Sequence, residues 1–137
     1  MLVLPAFART HVLTHALALF MTWAFTIPTT PSPSALLQHQ PGLGLRRLQW
    51  TSSPANKASM GAAIRMGFKP EGVIRNQWAW PQGKDGLSFD ATGELETATG
   101  EPRGVAQDCW IAGITKADWE EVGGVRELVL RQMGRVA

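Results

Sequence analysis

Residues 45–78 read LRRLQWTSSPANKASMGAAIRMGFKPEGVIRNQW, and this stretch decides the fold class. From Leu43 to Ser52 the chain alternates as a strand, with Leu45, Leu48 and Trp50 near one period and Arg46, Arg47 and Gln49 between them. Ser53-Pro54-Ala55-Asn56 reads as a loop leading into a helix from about Lys57 to Met66. Ala58, Ala62, Ala63, Ile64 and Met66 supply its apolar surface. Gly67 stands where a helix C-terminus needs a residue that accepts positive φ. Phe68 to Trp80 then reads as a strand pair or one long bent strand, with Phe68, Val73, Ile74, Trp78 and Trp80 as its apolar positions. A strand, a helix and a further strand in succession make an α/β chain.

Working outward, Met1–Phe7 reads as a short strand ending near Pro5. Arg9–Phe25 reads as a helix so apolar that it should be largely buried, with Thr10 capping its first turn. Residues 26–41 hold four of the nine prolines and read as a Pro-rich insertion. On the other side, Pro81–Arg103 is turn-rich, holds five of the 11 acidic residues and reads as a long exposed, flexible acidic loop. Val105–Thr115 is a final strand. Thr115-Lys116-Ala117-Asp118 caps a short helical turn, and Val125–Val136 repeats apolar residues at helical spacing. The expected order is β-α-β-α-β-β-α: one domain over residues 1–137, a mixed sheet with flanking helices.

Charge is unevenly divided. The 137 residues carry 13 Lys+Arg and 11 Asp+Glu, a formal net charge of +2. Residues 1–70 contain six of the basic residues and no acid. Such a half could meet a phosphate-bearing ligand, but it is no polybasic run and predicts no nucleic-acid patch. Trp78, Trp80 and Trp110 could stack nucleobases, yet few cations interleave with them, and sheet core is the reading preferred. One cysteine, Cys109, precludes an intramolecular disulfide framework and fits a reducing, cytoplasmic setting; in its apolar strand it reads as a small buried hydrophobe. His11 and His15 have the i, i+4 spacing of zinc ligands, but His39 is no convincing third ligand and no metal site is expected. Residues 12–25 are too short an apolar run to span a membrane. A secretory segment over residues 1–34 is the alternative to a core helix there, with no clear small-x-small cleavage site to close it.

The central stretch carries, in order over 20 residues, Asn56, Ser59, Gly67, Phe68, Glu71, Gly72 and Arg75. This series resembles the C-terminal half of a GCN5-related N-acetyltransferase (GNAT), in the branch of RimJ/RimL type. Upstream, Thr14-His15-Ala16-Leu17 and Trp23-Ala24-Phe25 look like the family's first cofactor helix. Downstream, Asp108–Thr115 looks like its last strand, and Asp118-Trp119 like the acidic residue and tryptophan that follow. The two stretches 26–41 and 81–103 stand as insertions.

The resemblance implies an acetyl-CoA-dependent transfer of an acetyl group to a primary amine, of a protein N-terminus or a small molecule. A helix N-terminus offers free N–H groups to the pyrophosphate. The implied cofactor contacts are Arg9, Thr10, His11 and Thr14 at the first helix and Asn56, Lys57 and Ser59 at the second. Asn56 would hold the pantetheine arm or the local backbone, and Ser59 would protonate the leaving thiolate. Many relatives use a tyrosine one turn further on, where this chain has Ala63.

Two departures accompany the likeness. His11 and Leu13 occupy positions where the family's phosphate turn has glycines, and side chains there crowd the approach of phosphate to backbone. The four strands and two helices that members place earlier are expected to be missing, and with them much of the acceptor site. With no acid before Glu71, the base would be a water, His11, His15 or a later residue. Alternatives are a non-catalytic GNAT-like fragment that binds a partner or self-associates through an exposed sheet edge, and a small secreted protein.

Overall fold

The computed structural model describes residues 5–7, 10–28, 42–79, 94–96 and 102–134. The chain divides into two compact units, Gln49–Gly113 and Met1–Leu48 with Ile114–Ala137.

The Gln49–Gly113 unit is built on a sheet. Strand β1 spans Arg47–Ser52, helix α2 Lys57–Arg65, β2 Lys69–Ala79, β3 Glu94–Glu96 and β4 Pro102–Thr115. The order is β1-β4-β2, and β3 also pairs with β4. The last strand in sequence thus lies inside the sheet, so Cys109, Trp110 and Ala112 are buried as expected. The strand alternation of β1 holds from Leu48 on: Leu48 is buried, Trp50 and Ser52 are half-buried, and the residues between are exposed.

Helix α2 stops as its sequence dictates. Gly67 has φ +89. The Gly67 N–H bonds the Ile64 carbonyl and the Phe68 N–H bonds the Ala63 carbonyl, both at 3.0 Å. This pair of bonds satisfies carbonyls the helix end leaves open, and it needs a residue at ease in the left-handed region. Ala62, Ala63 and Met66 form the buried face, whereas Ala58 and Ile64, expected with them, are exposed.

β2 is one bent strand, and its burial departs from expectation. Every side chain from Lys69 to Trp78 is exposed, including Val73 at 43%, Ile74 at 45% and Trp78 at 56%. The apolar residues of β2 are therefore not sheet core; β2 is the terminal strand of its order, flanked among the described residues by β4 alone. Phe68, just before it, is buried. Its pairing with β4 is antiparallel, with register breaks between Pro70 and Gly72 and between Ile74 and Trp78. In the second break Asn76 has φ +52, and its N–H donates to Asp108 Oδ1 at 2.9 Å. Trp80 lies outside the described residues.

The acidic stretch 81–103 is not loop throughout. Glu94–Glu96 pairs antiparallel with β4, Glu94 opposite Val105 and Glu96 opposite Pro102. Polar residues do not oppose a two-stranded ribbon, whose hydrogen bonds are main-chain. Residues 81–93 and 97–101 lie outside the described set.

In the second unit, helix α1 spans Val12–Phe25, α3 Lys116–Glu120 and α4 Val125–Met133. Pro5–Phe7 is a 3-10 turn rather than the expected strand end. α1 buries Leu17, Ala18, Met21, Ala24 and Phe25, the i, i+1, i+4, i+7, i+8 stripe of one helical face. It packs on α4. It is less buried than its composition suggests: Leu19 is 63% and Trp23 42% exposed, because one face suffices for the contact. Phe25 stacks on Trp119, with ring centroids 5.1 Å apart.

The end of α1 explains the Gly-Leu-Gly at 42–44. The N–H groups of Leu43, Gly44 and Leu45 bond the carbonyls of Trp23, Thr26 and Ala24 at 3.1, 2.8 and 2.8 Å. Gly44 takes φ +57 to do so. Carbonyls left without helical partners are satisfied by the returning chain. α3 is capped as the sequence predicts: the Asp118 N–H donates to Thr115 Oγ1 at 3.2 Å and the Thr115 N–H to Asp118 Oδ2 at 2.9 Å. Of the segment 26–41, residues 29–41 are outside the described set.

Candidate functional site

The sequence-predicted residues fall at two helix starts, one in each unit. At the first, β1 delivers Trp50 and the chain turns through Ser53-Pro54-Ala55 into α2. The Asn56 N–H bonds the Ser53 carbonyl at 2.9 Å. Asn56 is the N-cap, its Oδ1 accepting the Ser59 N–H at 3.0 Å. One carboxamide oxygen thereby satisfies a first-turn N–H that has no helical partner. Lys57 follows as the first helical residue and is exposed.

Ser59 is half-buried, and its hydroxyl has a partner that the sequence reading missed. Trp50 Nε1–H donates to Ser59 Oγ at 3.0 Å. The indole has no acceptor, so the direction of this bond is fixed. Ser59 Oγ is the acceptor, and its own proton is left to be donated. A hydrogen bond received by a hydroxyl also polarises it toward giving its proton. Trp50 in turn meets Phe68 edge-on, ring centroids 5.4 Å apart. The available signal was strand parity, which sets Trp50 on one face with Leu48 and Ser52; read as core packing, it concealed a polar role for the ring edge.

The second helix start carries Thr10, His11 and Thr14; Arg9 lies outside the described residues. Thr10 is not the N-cap. His11 holds that position with helical dihedrals and no side-chain cap. Thr10 Oγ1 donates to the Phe7 carbonyl at 2.6 Å and accepts the Val12 N–H at 3.4 Å, so it stabilises the turn before the helix. Thr14 is half-buried and His11 exposed. The His11 and His15 rings lie 4.9 Å apart. His15 Nε2 is 2.9 Å from the Met133 carbonyl, which can only accept, so this nitrogen carries a proton and closes an end carbonyl of α4. No group of three or more His, Cys, Asp or Glu gathers among the described residues, and none of their helices is long and apolar enough to cross a membrane.

No protein-family model matches the chain, and no curated protein matches it. Solved structures do. A GCN5-related N-acetyltransferase from Brucella melitensis superposes with a TM-score of 0.60 at 20% identity, over 94% of this chain and 40% of its own. A candidate acetyltransferase gives 0.61 at 18% identity, over 93% and 45%. A probable acetyltransferase of the GNAT family from Chromobacterium violaceum gives 0.51 at 22%, over 85% and 40%. At these identities the likeness establishes the fold: the chain has the mixed α/β architecture of GNAT acyl-CoA N-acyltransferases and spans less than half the length of these structures.

Proposed function

We propose that the chain binds acetyl-CoA and carries the thiol-facing part of an N-acetyltransferase of RimJ/RimL type, acting on the primary amine of a protein N-terminus or a small molecule. The GNAT-like fold supports the class. The observation that carries the reading is the Trp50–Ser59 bond beside the Asn56 cap, because it prepares a hydroxyl to give a proton.

The chemistry of the donor set fits acetyl-CoA. Asn56 caps α2 through its oxygen and has amide N–H groups to offer a carbonyl of the pantetheine arm. Thr10, Thr14 and His11 stand at the start of α1, where unpaired N–H groups favour phosphate; Arg9 and Lys57 add positive charge. Bound acetyl-CoA supplies a thioester whose carbonyl carbon an amine attacks. Ser59 Oγ–H would give its proton to the leaving sulfur, Trp50 Nε1–H holding the oxygen left behind until solvent returns a proton to it. Proton removal from the amine falls to a water, His11, His15 through its Nδ1, or a later residue; His15 Nε2 is engaged with the Met133 carbonyl. The buried thiol of Cys109 suits a cytoplasmic setting.

Thermal-shift titration with acetyl-CoA and with CoA tests binding. At 100 times Kd the ligand adds about 2.7 kcal/mol, a rise of several degrees; no rise at millimolar ligand removes the reading. A second reading, a non-catalytic binding module, is favoured by the exposure of Val73, Ile74 and Trp78 on β2. A secreted product lacking residues 1–34 fits less well, because α1 is packed against α4.

A further inference from the structure

We infer that Phe68 is a positioning residue: its ring fixes the plane of the Trp50 indole and so keeps Nε1–H aimed at Ser59 Oγ. Its effect on turnover rests on the acetyl-transfer reading, whereas the orientation itself does not. Trp50 Nε1–H donates to Ser59 Oγ at 3.0 Å. The Trp50 and Phe68 rings stand 5.4 Å apart at an interplanar angle of 72°. All three side chains belong to the Gln49–Gly113 unit.

The indole does not set its own direction. A hydrogen bond weakens steeply as the N–H swings away from its acceptor. The last side-chain torsion of tryptophan joins a tetrahedral carbon to a planar ring, and such torsions have broad wells. Trp50 is also only half-buried, so neighbours do not close around the ring on all sides. Ser59 answers it with a single rotatable hydroxyl. The plane of the ring therefore needs a second contact. Aromatic pairs favour an edge-to-face tilt, and the 72° angle to Phe68 is of that kind.

Phe68 is the rigid member of the pair. It is 5% exposed, and its N–H bonds the Ala63 carbonyl at 3.0 Å, which ties its backbone to the end of α2. The contact is not a by-product of strand pairing. Phe68 precedes β2, and β4 lies between β1 and β2 in the sheet, so the two rings are not cross-strand neighbours. Ser59 stands in the first turn of α2 and Phe68 just past its last; Trp50 meets both. Burial at position 68 asks only for an apolar side chain, whereas holding the indole asks for a ring.

Nitrogen–proton NMR on the full chain reads the orientation, the Trp50 indole signal being identified by its loss in Trp50→Phe. In the wild-type chain the indole order parameter should lie near the rigid value of about 0.85, and one below about 0.6 overturns the proposal without any variant. Phe68→Leu keeps an apolar side chain and removes the ring; Phe68→Met, whose flexible side chain fills irregular space, replaces it if the leucine variant does not fold. The indole N–H of the variant should exchange with solvent about tenfold faster, as for one lost hydrogen bond. Adding Ser59→Ala should then move the indole signal by less than about half of its shift in the wild-type background, because the bond is already weakened. In turnover, the Phe68 variant should lose about tenfold in kcat with KM for acetyl-CoA unchanged, and combining it with Trp50→Phe should cost nothing beyond Trp50→Phe alone. A folded variant with wild-type indole exchange and a wild-type response to Ser59→Ala overturns the proposal, whatever its kcat. A chain whose indole responds as expected but which binds no acetyl-CoA sinks only the acetyl-transfer reading. A chain that turns over while its indole ignores Phe68 sinks only this inference.

Discussion

Trp50 and Ser59, nine residues apart, are joined by an indole N–H donating to a hydroxyl oxygen at 3.0 Å. In the acetyl-transfer reading the two act as one unit, the hydroxyl giving a proton and the indole holding the oxygen that loses it. Ser59→Ala should lower kcat about 100-fold, the low end of general-acid contributions, with little change in KM for acetyl-CoA. Trp50→Phe keeps a ring against Phe68 and removes only the donor; a loss of about tenfold is expected, as for one neutral hydrogen bond. The double variant should be no slower than Ser59→Ala. Independent, multiplying effects would separate the two residues and leave Trp50 a packing role. In nitrogen–proton NMR spectra, Ser59→Ala should also shift the Trp50 indole resonance, a readout that needs no turnover.

In the acetyl-transfer reading Asn56 has two separable tasks. Its oxygen caps α2, and its amide N–H groups are the proposed contact to the pantetheine arm. Asn56→Ala removes both and should cost about 1 kcal/mol of stability. Asn56→Asp keeps a capping oxygen and removes the donors. Its melting temperature should stay within a degree or two of wild type while acetyl-CoA affinity falls about tenfold. Isothermal titration beside thermal melts separates these. Unchanged affinity in Asn56→Asp would reduce Asn56 to its cap.

Much of this architecture was legible, and the exceptions share a cause. Periodicity and punctuation are local, so the helix from Lys57 with its stop at Gly67, the strand ending at Thr115 and the Thr115–Asp118 cap could all be read from neighbouring residues. Burial is not local. Val73 and Trp78 have the composition of core and stand exposed on β2, which among the described residues is flanked by β4 alone. Leu19 and Trp23 stand exposed because α1 needs one face for its contact. The local geometry of the candidate site was legible to the same depth. Asn56 and Ser59 were visible as a spaced pair on one helix start, whereas Trp50 required the return of β1 onto α2, and His15 required Met133, 118 residues away.

The Gly67 stop offers a stability test free of function. At φ +89 a Cβ meets the penalty that keeps other residues out of the left-handed region, about 1–2 kcal/mol. Gly67→Ala should lower stability by that amount, and Gly67→Asn by less, since asparagine tolerates such dihedrals. Denaturant unfolding with an unchanged m-value would show the effect to be local. Equal losses for the two variants would point to lost space instead of backbone strain.

Asp108 and Asn76 give the sharpest stability prediction. Asp108 is 1% exposed, and its carboxylate accepts the Asn76 N–H at the register break of β2. A buried carboxylate persists only where hydrogen bonds repay its desolvation, and Asp108 has further partners besides this one. Asp108→Ala leaves those donors unanswered and opens a cavity; a loss of about 3 kcal/mol is expected. Asp108→Asn keeps an acceptor oxygen in place and should lose less. On the other side of the bond, Asn76→Gly preserves the N–H and suits φ +52, so stability should stay within about 0.5 kcal/mol. Asn76→Pro removes the N–H and cannot adopt that dihedral, and it should approach the Asp108→Ala loss. If Asn76→Gly proves as damaging as Asn76→Pro, the asparagine side chain is what holds the break together, and the backbone bond to Asp108 is incidental.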